Sequence, residues 1–172
     1  MPRIALVSTS DTDLLSARAS GVDFVVANPS RPAHEGMGAE LAAADLVVAR
    51  ILGGPDDLCS GFRRVVGTGV PTVVLGGEQV PNAALMELST VPVGVAAEAH
   101  RSLAEGGPGN LAQLHAFLSD TVLLTGEGFE PPVVLPAWGW AERPQATPTA
   151  DGPRVGILYY RDHHASGNTA FV

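Results

Sequence analysis

The sequence contains no lysine, so all ten of its basic residues are arginines, against 18 acidic residues. The resulting formal net charge is −8. A nucleic-acid-binding domain carries a clustered basic patch, whereas the adjacent basic residues here are limited to Arg63 and Arg64. The composition therefore argues against a nucleic-acid partner.

Cysteine is equally scarce, because Cys59 is the single cysteine in 172 residues. One cysteine excludes an internal disulfide framework and a cysteine-based metal cluster. The apolar neighbours of Cys59 predict a buried, unreactive thiol.

Long hydrophobic runs are missing, although 45% of the residues are hydrophobic. No apolar stretch approaches the ~20 residues that a membrane-spanning helix requires. The first residues, from Met1 to Leu6, lack the layout of a signal peptide and read as the start of a strand. We expect a cytoplasmic protein with no membrane partner.

The common nucleotide and catalytic motifs are also absent, including GxxxxGK[ST], GxGxxG, GxSxG and HExxH. His163 and His164 are the densest pair of potential metal ligands, but adjacent side chains point in different directions in most backbones. We therefore expect no resident cofactor, no metal site and no catalytic residue in this chain.

Two apolar runs that end in paired glycines organise what is present, residues 46–54 (LVVARILGG) and 69–78 (GVPTVVLGGE). Short, uninterrupted runs rich in β-branched residues suit strands buried on both faces of a parallel sheet. With further runs at 3–8 and 24–27, they predict a flavodoxin-like, doubly wound α/β sheet in the strand order 2-1-3-4. Ligands bind outside the carboxyl ends of such strands, which makes candidates of Gly53, Gly54, Gly76, Gly77 and Glu78.

The loop after the first strand adds Ser8 and Ser10 as candidate ligand-binding residues. Its hydroxyls could cradle a phosphate, or Ser10 could cap the following helix, with Asp11 and Asp13 in the first turn. Two carboxylates would repel a phosphate, so capping is the favoured interpretation.

Two further helices are predicted beyond the sheet, over residues 95–105 and 111–124, with Asn110 as the cap of the second. His100 and His115 lie on these helices and are predicted to be partly exposed surface residues. The first domain is predicted to span residues 1–128.

The remaining chain is predicted to hold a linker and the start of a second unit. Residues 129–153 contain six of the 14 prolines, which favours an extended linker. Trp138 and Trp140 within it either stack a planar ligand or, in the favoured reading, pin the linker to a neighbouring surface. Residues 154–172 then read as a strand, a polar loop and the first residues of a helix, so they are expected to begin a second, truncated α/β domain.

Longer strings spread along the chain resemble one protein family. They are STSDTDLL (8–15), ANPSR (27–31), LGGEQ (75–79), STVP (89–92), NLAQLH (110–115), GFEPP (128–132), YYR (159–161), His163 with His164, and GNT (167–169). Together they resemble the amino-terminal part of the cobaltochelatase large subunit of the CobN type, a relative of the magnesium chelatase large subunit.

The resemblance implies insertion of Co²⁺ into hydrogenobyrinic acid a,c-diamide in aerobic cobalamin biosynthesis. It implies a large subunit that binds the tetrapyrrole, and separate AAA+ partner subunits that hydrolyse ATP. Family members are several times longer than this chain, so no catalytic residue is carried over and the fragment alone is expected to be inactive. Arg161, His163, His164 and Asn168 match the family string Tyr-Arg-x-His-His-x-x-Gly-Asn and are candidate site residues.

Two other interpretations stay open at this stage. The chain could be a docking or lid module that binds the AAA+ partners or the edge of the ring. It could also be a free-standing flavodoxin-like protein that binds a small ligand.

Overall fold

A computed structural model of the chain describes residues 2–31, 37–57, 69–140 and 156–166. Cys59 and the candidate ligand Asn168 lie outside these ranges. Within them, the strands β1 (Ile4–Ser8), β2 (Phe24–Ala27), β3 (Leu46–Ile51) and β4 (Thr72–Gly76) form one sheet. Its order is β2-β1-β3-β4, and every neighbouring pair is parallel. The predicted α/β class and strand order are confirmed.

Helices connect the strands and continue beyond the sheet. In the described ranges they are α1 (Asp11–Ala19), α2 (Met37–Ala42), a 3-10 turn (Pro55–Asp57), α3 (Ala83–Met86), α4 (Val93–Glu105), α5 (Pro108–Thr121) and α6 (Arg161–Ala165). Gly106 and Gly107 join α4 to α5 with positive φ angles of 67° and 89°. Glycine adopts such angles without a side-chain penalty, which permits the tight turn.

Both faces of the sheet are buried, as the uninterrupted apolar runs predict. One face packs on α1, α4 and α5 through the strand residues Ile4, Leu6, Leu46, Val48, Val73 and Leu75. The opposite face packs on Leu41 of α2 and Leu85 of α3 through Ala5, Val7, Val47, Ala49, Ile51 and Val74. Because side chains alternate along a strand, each run feeds both cores in turn.

Two residues predicted to cap helices through their side chains do not do so. Ser10 does precede α1, but its side chain makes no capping hydrogen bond. Asn110 lies inside α5, since that helix begins at Pro108, and its Nδ2 donates to the Gly106 carbonyl at 2.8 Å. Pro108 starts the helix instead, because proline lacks only a donor that the first turn leaves unpaired anyway.

Residues 129–135 are extended, as expected for a proline-rich segment, yet they are bonded to the helices beside them. The amide of Asn110 donates to the Val133 carbonyl at 2.9 Å and its oxygen accepts from the Val133 N–H at 2.8 Å. The Glu130 N–H donates to Gln113 at 2.7 Å. These contacts attach the segment to α5.

The strand predicted to end at Tyr160 is not formed in its described part. Residues 156–160 have no strand assignment, and the helix α6 follows at once where a polar loop was expected. Trp138 is 86% exposed rather than packed on a neighbouring surface, and Trp140 is 90% exposed. An apolar run forms a strand only where another strand pairs with it, and no described strand lies beside this one.

Candidate functional site

A cleft of about 300 Å³ lies over the carboxyl edge of the sheet, at the ends of the neighbouring strands β1 and β3, where the strand order reverses. Its walls come from the loop and first turns at residues 8–16, the end of β3, residues 77–79 after β4, the end of α4 at 103–106, and α6. In parallel sheets this switch point is where ligands bind, because the helices on either side diverge from it.

A polar row on the sheet floor begins the site. Ser8 and Arg50 are register partners on adjacent strands, and they continue the rows of Ile4 and Leu6 and of Leu46 and Val48 that face α1, α4 and α5. At the carboxyl edge the sheet therefore presents a hydroxyl and a guanidinium where its interior presents aliphatic side chains.

Arg50 is the centre of the hydrogen-bond network, with its side chain only 11% exposed. Its Nη1 donates to Asp13 Oδ1 at 2.8 Å and to the Leu103 carbonyl at 3.0 Å. Its Nη2 donates to the Gly77 carbonyl at 2.8 Å. One side chain thus ties β3 to α1, to the end of α4 and to the loop after β4.

Asp13 supplies the counter-charge from α1, and its side chain is 6% exposed. Its Oδ2 accepts a hydrogen bond from the Ser8 hydroxyl at 2.6 Å, and Ser8 Oγ in turn accepts from the Ser10 N–H at 3.0 Å. Burial raises the pKa of the Asp13 carboxyl above its ordinary value, against the opposing effects of the Arg50 charge and the Ser8 hydrogen bond. The hydroxyl loop is therefore organised around a buried ion pair.

A second ion pair closes the other side of the cleft. Arg161 Nη2 lies 2.8 Å from Glu105 Oε2, with the two side chains 24% and 19% exposed. The same Glu105 oxygen accepts from the Leu135 N–H at 3.0 Å, and Arg161 Nη2 reaches the Leu135 carbonyl at 3.3 Å. This pair holds α6 and the extended segment together at the end of α4.

The structure brings some of the predicted ligand-binding residues together and leaves others apart. Ser8, Ser10, Gly77, Glu78 and Arg161 line the cleft. The remaining described candidates do not line it: Gly53, Gly54, Gly76, His163 and His164.

Gly76 and Gly77 each lie where an added side chain would meet a neighbouring residue. A Cβ on Gly77 would lie 2.3 Å from Leu52 Cδ2, and one on Gly76 would lie 3.0 Å from Asn82 Cβ. Because both glycines lack a side chain, the backbone passes close to Leu52 and Asn82. The backbone carbonyl of Gly77 is what reaches the site, through Arg50.

The histidines on the long helices are buried, which corrects the prediction of surface residues. His100 is 4% exposed and His115 is 1% exposed. His100 Nε2 lies 2.9 Å from the Glu78 carbonyl, and the His115 ring contacts Phe24 edge-on at a centroid distance of 5.1 Å. Burial lowers the pKa of both imidazoles. By contrast, His163 and His164 are exposed on α6.

Sequence reasoning missed Asp13, Arg50 and Glu105 as site residues. Arg50 carried a signal, because a charged residue inside an otherwise apolar strand must be paired when the strand is buried. Asp13 was assigned to the helix dipole, and Glu105 ends a helix with no local mark of its partner 56 residues away.

Comparison with known proteins adds a strong structural match. The chain is similar to a solved structure described as the catalytic subunit of cobaltochelatase from Mycobacterium tuberculosis, with 52% sequence identity and a TM-score of 0.85. The chain is related to cobaltochelatase. The match covers 99% of this chain but 14% of that subunit. No protein-family profile and no curated protein sequence matches the chain.

The site can be compared with what a chelatase subunit must handle. Among the residues that the structure describes, no cluster of three or more histidine, cysteine or acidic side chains is arranged to hold a metal ion. In the same part of the chain, no helix is long and apolar enough to cross a membrane. The cleft instead offers hydroxyls, an amide, two arginines already in ion pairs and several carboxylates.

Proposed function

We propose that the chain is a part of the large subunit of an ATP-dependent cobaltochelatase, the enzyme that inserts Co²⁺ into hydrogenobyrinic acid a,c-diamide in cobalamin biosynthesis. The observation that carries the proposal is 52% identity over 99% of this chain to a cobaltochelatase catalytic subunit, with a TM-score of 0.85. In this proposal Co²⁺ is a substrate, and ATP is hydrolysed by AAA+ partner subunits.

An exchange experiment tests this function. The similar stretch of the Mycobacterium tuberculosis subunit is replaced by this chain, and cobalt insertion is measured with the AAA+ partners and ATP. We expect the chimera to form cob(II)yrinic acid a,c-diamide, whereas the subunit without the stretch does not. A soluble, folded chimera without activity would contradict the proposal.

The isolated chain is expected to be inactive in the same assay. It spans 14% of the length of the related subunit, and metal insertion requires a base and a water-poor cavity around the ring. Product formed by the 172-residue chain alone with both partners would overturn this expectation.

Within such a subunit, we propose that the cleft is a docking site for the amide-bearing edge of the tetrapyrrole. The lining carboxylates outnumber the arginines, and both arginines are engaged in ion pairs: the acids are Asp13, Glu78, Glu105 and Asp162, and the bases are Arg50 and Arg161. An excess of negative charge disfavours phosphates and free carboxylates, so the two carboxamides of the substrate, and not its remaining carboxylates, are the groups that suit the cleft.

Binding can be measured on the isolated chain by calorimetry with hydrogenobyrinic acid a,c-diamide. Thr12→Val and Gln79→Leu remove polar groups from the cleft lining, and each is expected to weaken binding several-fold, since a lost hydrogen bond is worth about 1 kcal/mol. Thr121→Val is the matched control, because Thr121 is exposed and lies outside the lining. Equal affinities for all three variants would exclude the cleft as the docking site.

A further inference from the structure

Large apolar side chains are exposed along the last described part of the chain. Leu158 is 100% exposed, Tyr160 82%, Ile157 64%, Val133 68% and Val134 64%. Trp138 and Trp140 belong to the same part. Isolated exposed apolar residues need no explanation, but a concentration of them marks an interaction surface.

The two segments that carry these side chains meet at one anchor. Arg161 Nη2 reaches the Leu135 carbonyl at 3.3 Å, and both residues bond to Glu105 Oε2. Val134 and Tyr160 therefore adjoin residues that are in direct contact. We call residues 133–140 and 156–160 together the apolar tail surface.

The composition of this surface is that of an interface core. Neither VVLPAWGW (133–140) nor GILYY (156–160) contains a charged residue, in a chain whose net charge is −8. Charge depletion with enrichment in tryptophan and tyrosine distinguishes the buried centre of protein interfaces from ordinary surface.

The backbone of residues 156–160 is also available for pairing. Within the described residues, no N–H of this segment donates a hydrogen bond to another residue. A segment with unbonded N–H groups and large apolar side chains is suited to join a sheet edge of another polypeptide.

We propose that the apolar tail surface is the contact surface for the remaining polypeptide of a cobaltochelatase catalytic subunit, the part outside the stretch that this chain matches. The inference rests on the proposed function. The related subunit is about seven times longer than the matched stretch, since the match covers 14% of it, so in that context most of the protein lies beyond this unit. We expect this remaining polypeptide to pack against the uncharged apolar tail surface.

Amide hydrogen exchange on the chimera described above tests the contact without using activity. In the isolated chain the amides of residues 156–160 are expected to exchange at rates near those of an unfolded peptide. In the chimera they are expected to exchange at least about tenfold more slowly, because burial and pairing protect them. Equal exchange in the two proteins would overturn the inference.

Matched substitutions locate the contact. Leu158→Glu places a charge in the apolar tail surface and is expected to abolish the protection of residues 156–160 in the chimera. Val93→Glu is the control, because Val93 is 76% exposed and lies at the far end of α4 from Glu105, about 18 Å along the helix axis. Loss of protection in both variants, or in neither, would contradict the proposal.

Other occupants give different results. A concentration-dependent dimer of the isolated chain in sedimentation, dissociated by Leu158→Glu, would assign the surface to a second copy and overturn the inference. Failure of the function is distinguishable from failure of the surface. An active chimera in which residues 156–160 are unprotected would contradict only the proposed contact surface. An inactive chimera in which these residues are protected would contradict only the proposed function.

Discussion

Leu75 in β4 and Leu158 near the end of the chain sit in similar apolar runs, but their side chains are 0% and 100% exposed. β4 pairs with β3 and lies between helices on both faces of the sheet. Residues 156–160 have no strand beside them in the described part of the chain. Hydrophobic sequence thus supplies the free energy for burial, while the available partners decide whether burial takes place.

The two regions are also held by different interactions. The sheet is held by apolar side chains that alternate into two cores, each fully buried leucine contributing about 2 kcal/mol. Residues 133–135 and the start of α6 are attached by polar contacts to α4 and α5, through Asn110, Glu105 and Arg161. Polar anchors define a position well but add little net stability each, which suits a unit that has a further contact to make.

The largest expected effect comes from the buried ion pair under the cleft. Arg50→Met would leave the Asp13 carboxylate buried without its cation, which costs about 3–5 kcal/mol when one partner of a buried pair is removed. Urea denaturation should show that loss in the free energy of unfolding. The double variant Arg50→Met with Asp13→Leu is expected to recover much of it, and a single-variant loss below about 1 kcal/mol would contradict the buried network.

The link between the two regions is tested at the α4–α5 turn. Gly106→Ala and Gly107→Ala both place a side chain at positive φ, which costs about 1–2 kcal/mol. At Gly107 the new Cβ would clash with backbone, at 2.9 Å from the Ala165 carbonyl oxygen, whereas at Gly106 the nearest backbone atom, the Leu103 carbonyl oxygen, lies at an ordinary contact distance of 3.8 Å. We therefore expect faster amide exchange of α6 in Gly107→Ala alone. Identical exchange in both variants would mean that α6 is not seated on this turn.

The pH dependence of stability follows from the buried histidines. Burial lowers the pKa of His100 in the folded state, and the nearby Arg50 charge lowers it further, against the Glu78 carbonyl. The unfolded chain then takes up the proton first, so the free energy of unfolding is highest above about pH 6.5 and falls as the pH drops below that value.

Denaturation between about pH 7.5 and pH 5.5 should reveal this fall. His100→Gln is expected to reduce it, because glutamine does not titrate and retains an amide donor for the Glu78 carbonyl. His163→Gln, at an exposed position on α6, is the control for the substitution itself. The same fall in His100→Gln as in the unaltered chain would show that His100 is not its source.

The smallest effect is expected at the exposed counterpart of the Arg50 pair. Arg31 bonds Asp11 with side chains that are 61% and 55% exposed. Solvent screens such exposed pairs, so Arg31→Gln should leave the free energy of unfolding in urea denaturation almost unchanged. If Arg31→Gln lowered the free energy of unfolding as much as Arg50→Met does, burial could not explain why the two ion pairs differ.

The sheet could be predicted because its information is local and repeated. Each strand is a short β-branched run, and each run is followed by a loop or a helix start that forces a crossover to a parallel neighbour. The order β2-β1-β3-β4 follows from those connections. The same reasoning placed Ser8, Ser10, Gly77 and Glu78 at the edge that forms the cleft.

The partners across the cleft could not be predicted, because they depend on which helix ends meet in space. Arg50 is 37 residues from Asp13, and Arg161 is 56 residues from Glu105. His100 and His115 were assigned to the surface because the spacing of apolar residues along a helix does not show how many of its faces are covered by other elements. Residues 154–160 were predicted to form a strand from their apolar run alone, although strand formation requires a neighbour.

Asn110 reproduces with one side chain the exchange of bonds that a strand makes with its neighbour. Its carboxamide accepts from the Val133 N–H and donates to the Val133 carbonyl, as a peptide group would across a ladder. A helix therefore provides a one-residue template for an extended segment. This carboxamide fixes the register of the segment together with the bonds of Glu130 to Gln113 and of Leu135 to Glu105. Insertions between Thr121 and Phe129 should therefore shift nothing beyond Glu130. Asn110→Asp would place a second acceptor against the Val133 carbonyl and erase the template while altering the shape of the side chain hardly at all.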